Sequence, residues 1–231
     1  MPKHSGSIFK SLTEASGPTL VRKVERQLLQ AIIEGKIQLG GRVTEAEYAR
    51  QMAISRAPLR EAARLLEQRG LLITKPGRGF FVRKYTKKEL DDIYSVRLCI
   101  EEFAVREAIE KANDEDLNQL QLQRDRLGKA ASSRSRHKSV EEDIRLHEMV
   151  VSATGNDLLR RMFDVMAGDL LILISRLADL EIDSTIVAKS HDDWLQPLLA
   201  RDSKKALVAI HNHIYDGWQD IRSRLDLLTA T

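Results

Sequence analysis

The stretch EEDIRLHEMV, residues 141–150, places a carboxylate and an imidazole where a buried helix face is expected. In a helix, Asp143 and His147 lie one turn apart, on the same side as Ile144 and Val151. That arrangement has three interpretations: a core histidine with satisfied hydrogen bonds, an acid–base pair, or two ligands of a metal ion. The stretch alone does not decide between them.

Two further histidines repeat the pattern. In IVAKSHDDWLQPLL, His191 shares an apolar stripe with Trp194, and in KKALVAIHNHIYDGW, His213 aligns with Ile210. His211, two residues before His213, falls on nearly the opposite face and is expected to be exposed. Neutral imidazole is the commonest protein metal ligand, and a carboxylate supplies charge for a divalent ion. The pattern therefore favours a metal site with the ligands Asp143, His147, His191 and His213.

Such a site holds one divalent transition metal per chain, and the donor set suits zinc, nickel, manganese or iron equally. A three-histidine, one-aspartate site with open positions could also activate water, as in a hydrolase or lyase acting on small acids. No further acid, base or nucleophile is identifiable near these residues in the sequence. The prediction is therefore that the protein is not an enzyme, with a metal-dependent hydrolase or lyase as the alternative.

The composition is that of a helix-rich globular protein, and the charge is unevenly distributed along the chain. Residues 1–85 hold 16 Lys/Arg against 7 Asp/Glu, a net charge of +9, whereas the remainder holds 21 against 27, a net charge of −6. A basic first third is typical of a part that binds a polyanion. Cys99 is the single cysteine, which excludes an internal disulfide and indicates the cytoplasm. No apolar run is long enough to span a membrane.

The basic part of the chain has the element order of a winged helix-turn-helix. After an arm predicted to be flexible (1–17), apolar residues from Thr19 keep helical spacing until the glycines of EGKIQLGG. A short helix with Thr44 as its predicted cap and the amphipathic helix RAPLREAARLLEQRG follow. LLITKPGRGFFVRK then changes to strand periodicity around a Pro-Gly turn. Three helices and a small β-hairpin are predicted over 18–85.

The remainder, 86–231, is predicted to be an all-α antiparallel bundle of about six helices. The expected spans are 87–112, 114–131, 139–154, 156–179, 184–200 and 203–227, since no strand pattern interrupts them. The fold class is therefore mainly α, with a winged helix-turn-helix followed by an all-α antiparallel bundle.

In a helix-turn-helix, the N-terminal residues of the second helix touch base edges in the major groove. Here that end contains Ser55, Arg56 and Arg60, and an arginine fork matches guanine O6 and N7. The turn between the strands offers Lys75 and Arg78, followed by Gly79, for the minor groove or the phosphates. For any single arginine, a solvated helix face is the alternative. Together the elements predict binding to double-stranded DNA.

Residues 34–82 resemble the winged helix of the GntR family of bacterial transcription regulators. The matching positions are Gly35, Gly40, Glu45, Ala49, Ser55, Arg56, Pro58, Arg60, Glu61, Ala62, Leu66, Gly70, Leu71, Arg78, Gly79 and Val82. The resemblance implies operator contacts from Ser55, Arg56, Arg60 and the hairpin. One departure is Ala46, where some members carry an arginine; Arg42 or Arg50 could take that contact instead.

The helical part resembles the FCD ligand domain of the FadR subfamily, in its shorter, VanR-like branch. Asp143, His147, His191 and His213 fall on the family's metal positions, and Gly155-Asn156 matches its GN. The resemblance implies a metal-dependent sensor of a small organic acid or sugar acid. Arg97 is a candidate clamp for the effector carboxylate, with an ion pair to Glu101 as the alternative. Arg145 and Arg176 are further effector-binding candidates.

These observations predict a cytoplasmic, homodimeric repressor that binds a palindromic operator, since two-fold symmetry in a protein is mirrored in its site. The sequence identifies neither the effector nor the helices of the dimer interface.

Overall fold

A computed structural model describes residues 7–12, 17–133, 136–178 and 184–229. The chain divides into two compact units, with the division between Lys84 and Tyr85. Within the described residues, the first unit holds three helices and a hairpin and the second holds six helices. The predicted fold class is confirmed.

The first unit is built from α1 (Gly17–Ile33), α2 (Glu45–Gln51), α3 (Arg56–Gln68), β1 (Leu72–Lys75) and β2 (Gly79–Val82). Helix α3 packs against α1 through its apolar face, and Leu59 and Leu66 are fully buried. The opposite face of α3 carries Arg56, Arg60 and Arg64, all exposed. Burial of one face therefore fixes which face is available to a partner.

The hairpin is antiparallel, and its register pairs Lys75 with Gly79. The Arg78 amide donates to the Lys75 carbonyl at 2.9 Å, and Gly77 has φ +68. Pro76 followed by a glycine with positive φ gives a type II turn. The turn places the basic residues Lys75 and Arg78 at the tip of the hairpin, as the sequence predicts. This hairpin is the wing of the winged helix-turn-helix.

Residues 7–12, the part of the arm predicted to be flexible that the structure describes before α1, pack against α1 and α2. Phe9 is buried against Tyr48, with ring centroids 4.8 Å apart. The Leu12 amide donates to the Met52 carbonyl at 2.8 Å, and the Lys10 amide donates to Gln27 at 2.8 Å. The sequence does not predict this packing, because it depends on one buried aromatic residue and leaves no periodic pattern. Residues 1–6 and 13–16 of the arm lie outside the described residues.

The second unit contains α4 (Lys87–Lys111), α5 (Asp114–Ala131), α6 (Arg136–Ser152), α7 (Asp157–Ala178), α8 (Ser184–Leu199) and α9 (Ser203–Thr229). Helix α4 packs against α9, α5 against α6, α6 against α7, and α8 against α9. The core lies between these helices, and its largest fully buried side chains include Tyr94, Phe163 and Trp194.

The ends of these helices are fixed by side-chain caps. Thr86 begins α4 with a capping box to Glu89, and Asn113 begins α5 with one to Asp116. Asn156 accepts from the Leu158 and Leu159 amides at 3.1 Å. The predicted side-chain cap at Thr44 is wrong, because its hydroxyl makes no such bond.

None of the described helices is long and apolar enough to cross a membrane.

Candidate metal centre and nucleic-acid interface

Four polar side chains from three helices meet inside the second unit. Helix α6 supplies Asp143 and His147 one turn apart, α8 supplies His191 and α9 supplies His213. One ligand atom from each lies within 4.8 Å of every other. Asp143, His147 and His191 are buried, and His213 is partly exposed. The structure therefore brings together all four residues that the sequence predicts as ligands.

The spacing of these atoms fits a metal ion. The Nε2 atoms of His147 and His191 are 3.3 Å apart, and His147 Nε2 lies 3.5 Å from Asp143 Oδ1. Two ligands at about 2.1 Å from one ion are separated by roughly 3.0 to 3.4 Å in octahedral or tetrahedral geometry. His191 Nε2 also contacts Asp143 Oδ1 directly. To hold an ion at the centre, the His191–Asp143 contact would open slightly and the more distant pairs would close slightly.

Glu101 of α4 orients one of these ligands, and the sequence analysis missed this role. His147 Nδ1–H donates to Glu101 Oε2, which leaves Nε2 facing the other ligand atoms. A carboxylate behind a histidine ligand fixes its tautomer and raises its basicity. A signal was present, since Glu101 lies on the same face of α4 as Leu90 and Tyr94. From the sequence alone, Glu101 is predicted only as an ion-pair partner of Arg97.

Arg97 both forms the ion pair with Glu101 and lies where it could contact an effector carboxylate. Its Nε donates to Glu101 Oε1 at 2.6 Å, and both side chains are about 4% exposed. The guanidinium lies over the Tyr94 ring, 5.5 Å from its centroid. Arg97 also lines the cavity next to His191 and His213. The ion pair and a contact with a bound acid are therefore compatible.

Charges within the cluster hold both carboxylates ionised. Burial opposes ionisation of Glu101, but Arg97 and His147 outweigh it and lower its pKa to about 2. Burial likewise opposes ionisation of Asp143, yet His191 and His147 hold its pKa well below the ordinary value. Two anionic groups in a buried histidine cluster are suited to a cation.

The histidines differ in their affinity for protons. Burial disfavours the charged form of His147, but the Glu101 carboxylate raises its pKa above the ordinary value. Burial, followed by repulsion from His191 and His147, holds the pKa of His213 well below the ordinary value. His213 is therefore neutral at pH 7, in the form that binds metals.

Trp194 closes the inner side of the cluster. It is fully buried, and its ring centroid lies 5.3, 5.9 and 6.1 Å from those of His147, His191 and His213, respectively. A dry aromatic wall strengthens electrostatic interactions in the site, because it excludes water from one side.

A cavity of about 210 Å³ adjoins the ligand atoms. Arg97, Asp143, His191 and His213 line its inner part, and Tyr94 contributes a phenol whose pKa burial raises to about 12. A molecule in this cavity can therefore contact a metal ion and the Arg97 guanidinium together.

The other two arginines proposed for the effector do not line this cavity. Arg145 projects into solvent and pairs with Glu148 at 2.8 Å. Arg176 is buried near the C-terminal end of α7. His211 is exposed, as predicted, and pairs with Glu102 at 2.6 Å. Cys99, the single cysteine, is exposed.

The first unit presents the predicted recognition residues at the start of α3. Ser55 and Arg56 are exposed, and the Ser55 hydroxyl makes no capping bond to the helix. Arg60 donates from Nε and one terminal nitrogen to Glu45 of α2, at 3.0 and 2.8 Å. That pair holds Arg60 along the α2–α3 junction.

The wing carries the other basic candidates. Lys75 Nζ lies 4.5 Å from the Phe81 ring centroid, and the Arg78 guanidinium carbon lies 5.6 Å from it. Gly79 has φ +84 and open space around its Cβ position. Two cations therefore gather on one aromatic ring beside the turn. Arg42 and Arg50, the alternatives to an arginine at Ala46, are also exposed.

Comparison with protein families identifies both units. Residues 92–216 match the FCD domain, and residues 20–82 match the bacterial regulatory proteins of the gntR family. The chain belongs to the GntR family and carries an FCD domain. The GntR family and the relatives named below are transcription regulators, which confirms the prediction of a non-enzyme and overturns the hydrolase or lyase alternative.

Individual GntR relatives agree with this placement. The chain is 35% identical over 144 residues to the HTH-type transcriptional regulator YdhC of Bacillus subtilis, over 60% of this chain and 62% of YdhC. The chain thus spans less than two thirds of that relative. It is 26% identical to the gluconate operon transcriptional repressor of Bacillus licheniformis, over 84% of this chain and 82% of that protein.

A solved structure shares the fold. Escherichia coli McbR/YncC aligns with a TM-score of 0.74 at 20% identity, over 90% of this chain and 99% of that chain.

Proposed function

We propose that this GntR-family protein is a DNA-binding transcription regulator, a repressor, whose operator affinity is controlled by a small carboxylate bound at a metal ion. The observation that carries the proposal is the convergence of Asp143, His147, His191 and His213 beside a cavity that also holds Arg97. The exposed arginines of α3 in the same chain supply the DNA-binding part.

In the proposed complex, α3 enters the major groove with Ser55 and Arg56 at its leading end. Arg56 and Arg60 suit guanine, whose O6 and N7 accept both bonds of a guanidinium fork. Lys75 and Arg78 at the wing contact phosphates or the minor groove. The net charge of +9 in residues 1–85 favours this polyanionic partner.

In the helical domain, the three histidines and Asp143 hold one divalent ion, and Glu101 keeps His147 Nε2 pointed at it. The ion supplies a Lewis-acidic position for a carboxylate oxygen when bound. Arg97 donates to the same carboxylate from its terminal nitrogens, and Trp194 excludes water behind the histidines. The residues thus bind and orient the acid without a chemical step.

Regulation requires that the acid bind one arrangement of the molecule better than another, since otherwise no equilibrium shifts. We propose that the acid favours an arrangement with weak operator affinity, and by linkage the operator weakens acid binding equally. The gluconate operon repressor named above supports repression rather than activation. A homodimer in the cytoplasm, reading two half-sites of a palindrome, completes the proposal.

The test of DNA binding begins with a duplex selected by the full-length protein from a random library. Arg56→Ala should weaken binding to that duplex roughly 10- to 100-fold, because a guanidinium–guanine pair contributes about 1–3 kcal/mol. Arg126→Ala, which removes an exposed arginine of α5, is the charge-matched control and should change little. Equal affinity of Arg56→Ala and wild type would remove α3 as the recognition helix.

The effector part is tested on the same duplex by fluorescence anisotropy with zinc-loaded protein and a panel of small carboxylates. At least one acid should lower operator affinity, and zinc removal should abolish its effect. Light scattering of the free protein and of the complex gives the number of chains bound per palindrome. A single chain on the full palindrome contradicts the dimer.

A further inference from the structure

One face of α9 runs from the metal cluster to the rim of the cavity. Along it follow His213, Asp216, Gly217 and Asp220, all of which line the cavity. His213 is partly exposed, Asp216 is exposed and Asp220 is half-buried. The spacing of three, four and seven residues places them on one side of the helix.

The two ends of the cavity present different groups to a ligand. The inner end has the Arg97 guanidinium beside the candidate ion, and the rim has the carboxylates of Asp216 and Asp220. Asp220 pairs with Arg224 at 2.8 Å. Within the described part of the chain, Asp216 makes no hydrogen bond or ion pair, so its oxygens remain available as acceptors.

The volume restricts the occupant to a small acid. About 210 Å³ is below the roughly 300–1,000 Å³ of pockets for drug-sized ligands. Since each molecule of liquid water takes about 30 Å³, a ligand that fills the cavity displaces about seven waters. Asp216 lies three residues after His213 on α9, about 4.5 Å of helix rise, so a small acid bound at the inner end can reach it.

We propose that the effector is a small monocarboxylate that carries hydrogen-bond donors at its far end, and that Asp216 selects for them. This inference rests on the proposed function, because it assumes that the carboxylate binds at the inner end. An ionised carboxylate only accepts hydrogen bonds. It therefore matches hydroxyl or ammonium groups, repels a second carboxylate, and gains nothing from an apolar tail.

Four six-carbon acids separate these possibilities on the zinc-loaded, full-length protein. Gluconate carries hydroxyls, 6-aminohexanoate carries an ammonium, hexanoate has an apolar tail and adipate has a second carboxylate. Calorimetric titration should give at least tenfold tighter binding of gluconate or 6-aminohexanoate than of hexanoate and adipate. Whichever of the two binds more tightly identifies the donor as hydroxyl or ammonium.

Asp216→Asn tests the residue itself, and Asp226→Asn is the matched control. Asp226 lies on the same helix, pairs with Lys87 and does not line the cavity. Asp216→Asn should weaken binding of the donor-bearing acid about three- to tenfold and strengthen adipate, because the repulsive charge is removed. Asp226→Asn should leave both affinities unchanged.

The outcomes separate this inference from the proposed function. Binding of all four acids with similar affinity, or preferred binding of adipate, overturns the inference but leaves a carboxylate sensor. An unchanged preference in Asp216→Asn overturns the role of that residue. Failure of every carboxylate to bind the zinc-loaded protein overturns the proposed function together with the inference.

Discussion

At the scale of single residues, the most informative side chain is Glu101. One oxygen accepts from His147 and the other accepts from Arg97, so a single carboxylate connects a metal ligand to the cavity arginine. Removing its charge leaves Arg97 buried without its partner and loosens the His147 ring. In the proposed function, the metal site and the effector site therefore share one positioning residue.

Glu101→Gln should lower zinc affinity about 10- to 100-fold, the range measured when the carboxylate behind a histidine ligand is lost. Competition with a chromophoric chelator measures it. Glu102→Gln is the control, since the Glu102 carboxylate pairs with the exposed His211, and this variant should retain wild-type affinity. Equal zinc affinity in both variants would mean that Glu101 has only a structural role.

The pH dependence of zinc binding follows from the histidines. His147 has a raised pKa, so near and below neutrality zinc must displace its proton, whereas the pKa values of His213 and Asp143 lie well below their ordinary values. Apparent affinity should therefore rise with pH, by up to about tenfold per unit, until His147 has lost its proton, and then level off. Titrations at pH 6, 7 and 8 check this; a pH-independent affinity contradicts it.

The four candidate ligands were predictable from sequence because each lies on the apolar face of a long helix, where a polar residue is conspicuous. Asp143 and His147 add the one-turn spacing. Glu101 was not predictable as their support, since its contact with His147 joins residues 46 positions apart. Arg145 is an effector-binding candidate that the structure does not support, because its side chain points from α6 into solvent.

At the scale of elements, α9 is the helix that carries both a candidate ligand, His213, and the rim of the cavity. Its Gly217 lines the cavity one turn after His213, and a Cβ built there meets no atom within 4 Å. The absence of a side chain leaves the space between the ion and the rim open.

Gly217→Leu should fill that space and weaken binding of any effector acid more than tenfold, with zinc content unchanged. Gly217→Ala is the control: its methyl group enters open space, and alanine favours the helix by about 1 kcal/mol over glycine. Thermal melting and zinc analysis accompany the titrations. Wild-type acid binding by Gly217→Leu would place the acid elsewhere.

Helical periodicity predicted every element of the second unit to within a few residues at each end, because long amphipathic helices leave a strong pattern. The hairpin was predictable from its Pro-Gly turn. Residues 7–12 were not, since their order comes from one buried ring, Phe9, and bonds to Gln27 and Met52. Such contacts leave no periodic signal.

At the scale of the whole molecule, the residue that follows the wing is anchored within the second unit. Tyr85, the first residue of the second unit, donates from its hydroxyl to Asp169 of α7 at 2.7 Å. Ile174, five residues further along α7, lines the cavity. Helix α7 therefore touches both the cavity and the residue that follows the DNA-binding unit.

In Tyr85→Phe, the operator affinity measured without effector, divided by the operator affinity measured with effector, should fall at least threefold. The affinities for zinc and for the effector should stay within twofold of wild type. The lost hydrogen bond should also lower stability by roughly 1 kcal/mol. Anisotropy titrations on the selected duplex give the ratio. Tyr215→Phe, an exposed tyrosine of α9, is the control. An unchanged ratio would exclude this anchor from the coupling.

The central claim, that three helices of the FCD domain hold a metal ion, is tested most directly by metal analysis of protein purified under metal-replete conditions. Wild type and His211→Ala should each contain about one divalent ion per chain, since His211 lies outside the cluster. The double variant His147→Ala/His213→Ala should contain none. A folded, metal-free wild type, or a double variant that keeps its ion, would contradict the claim.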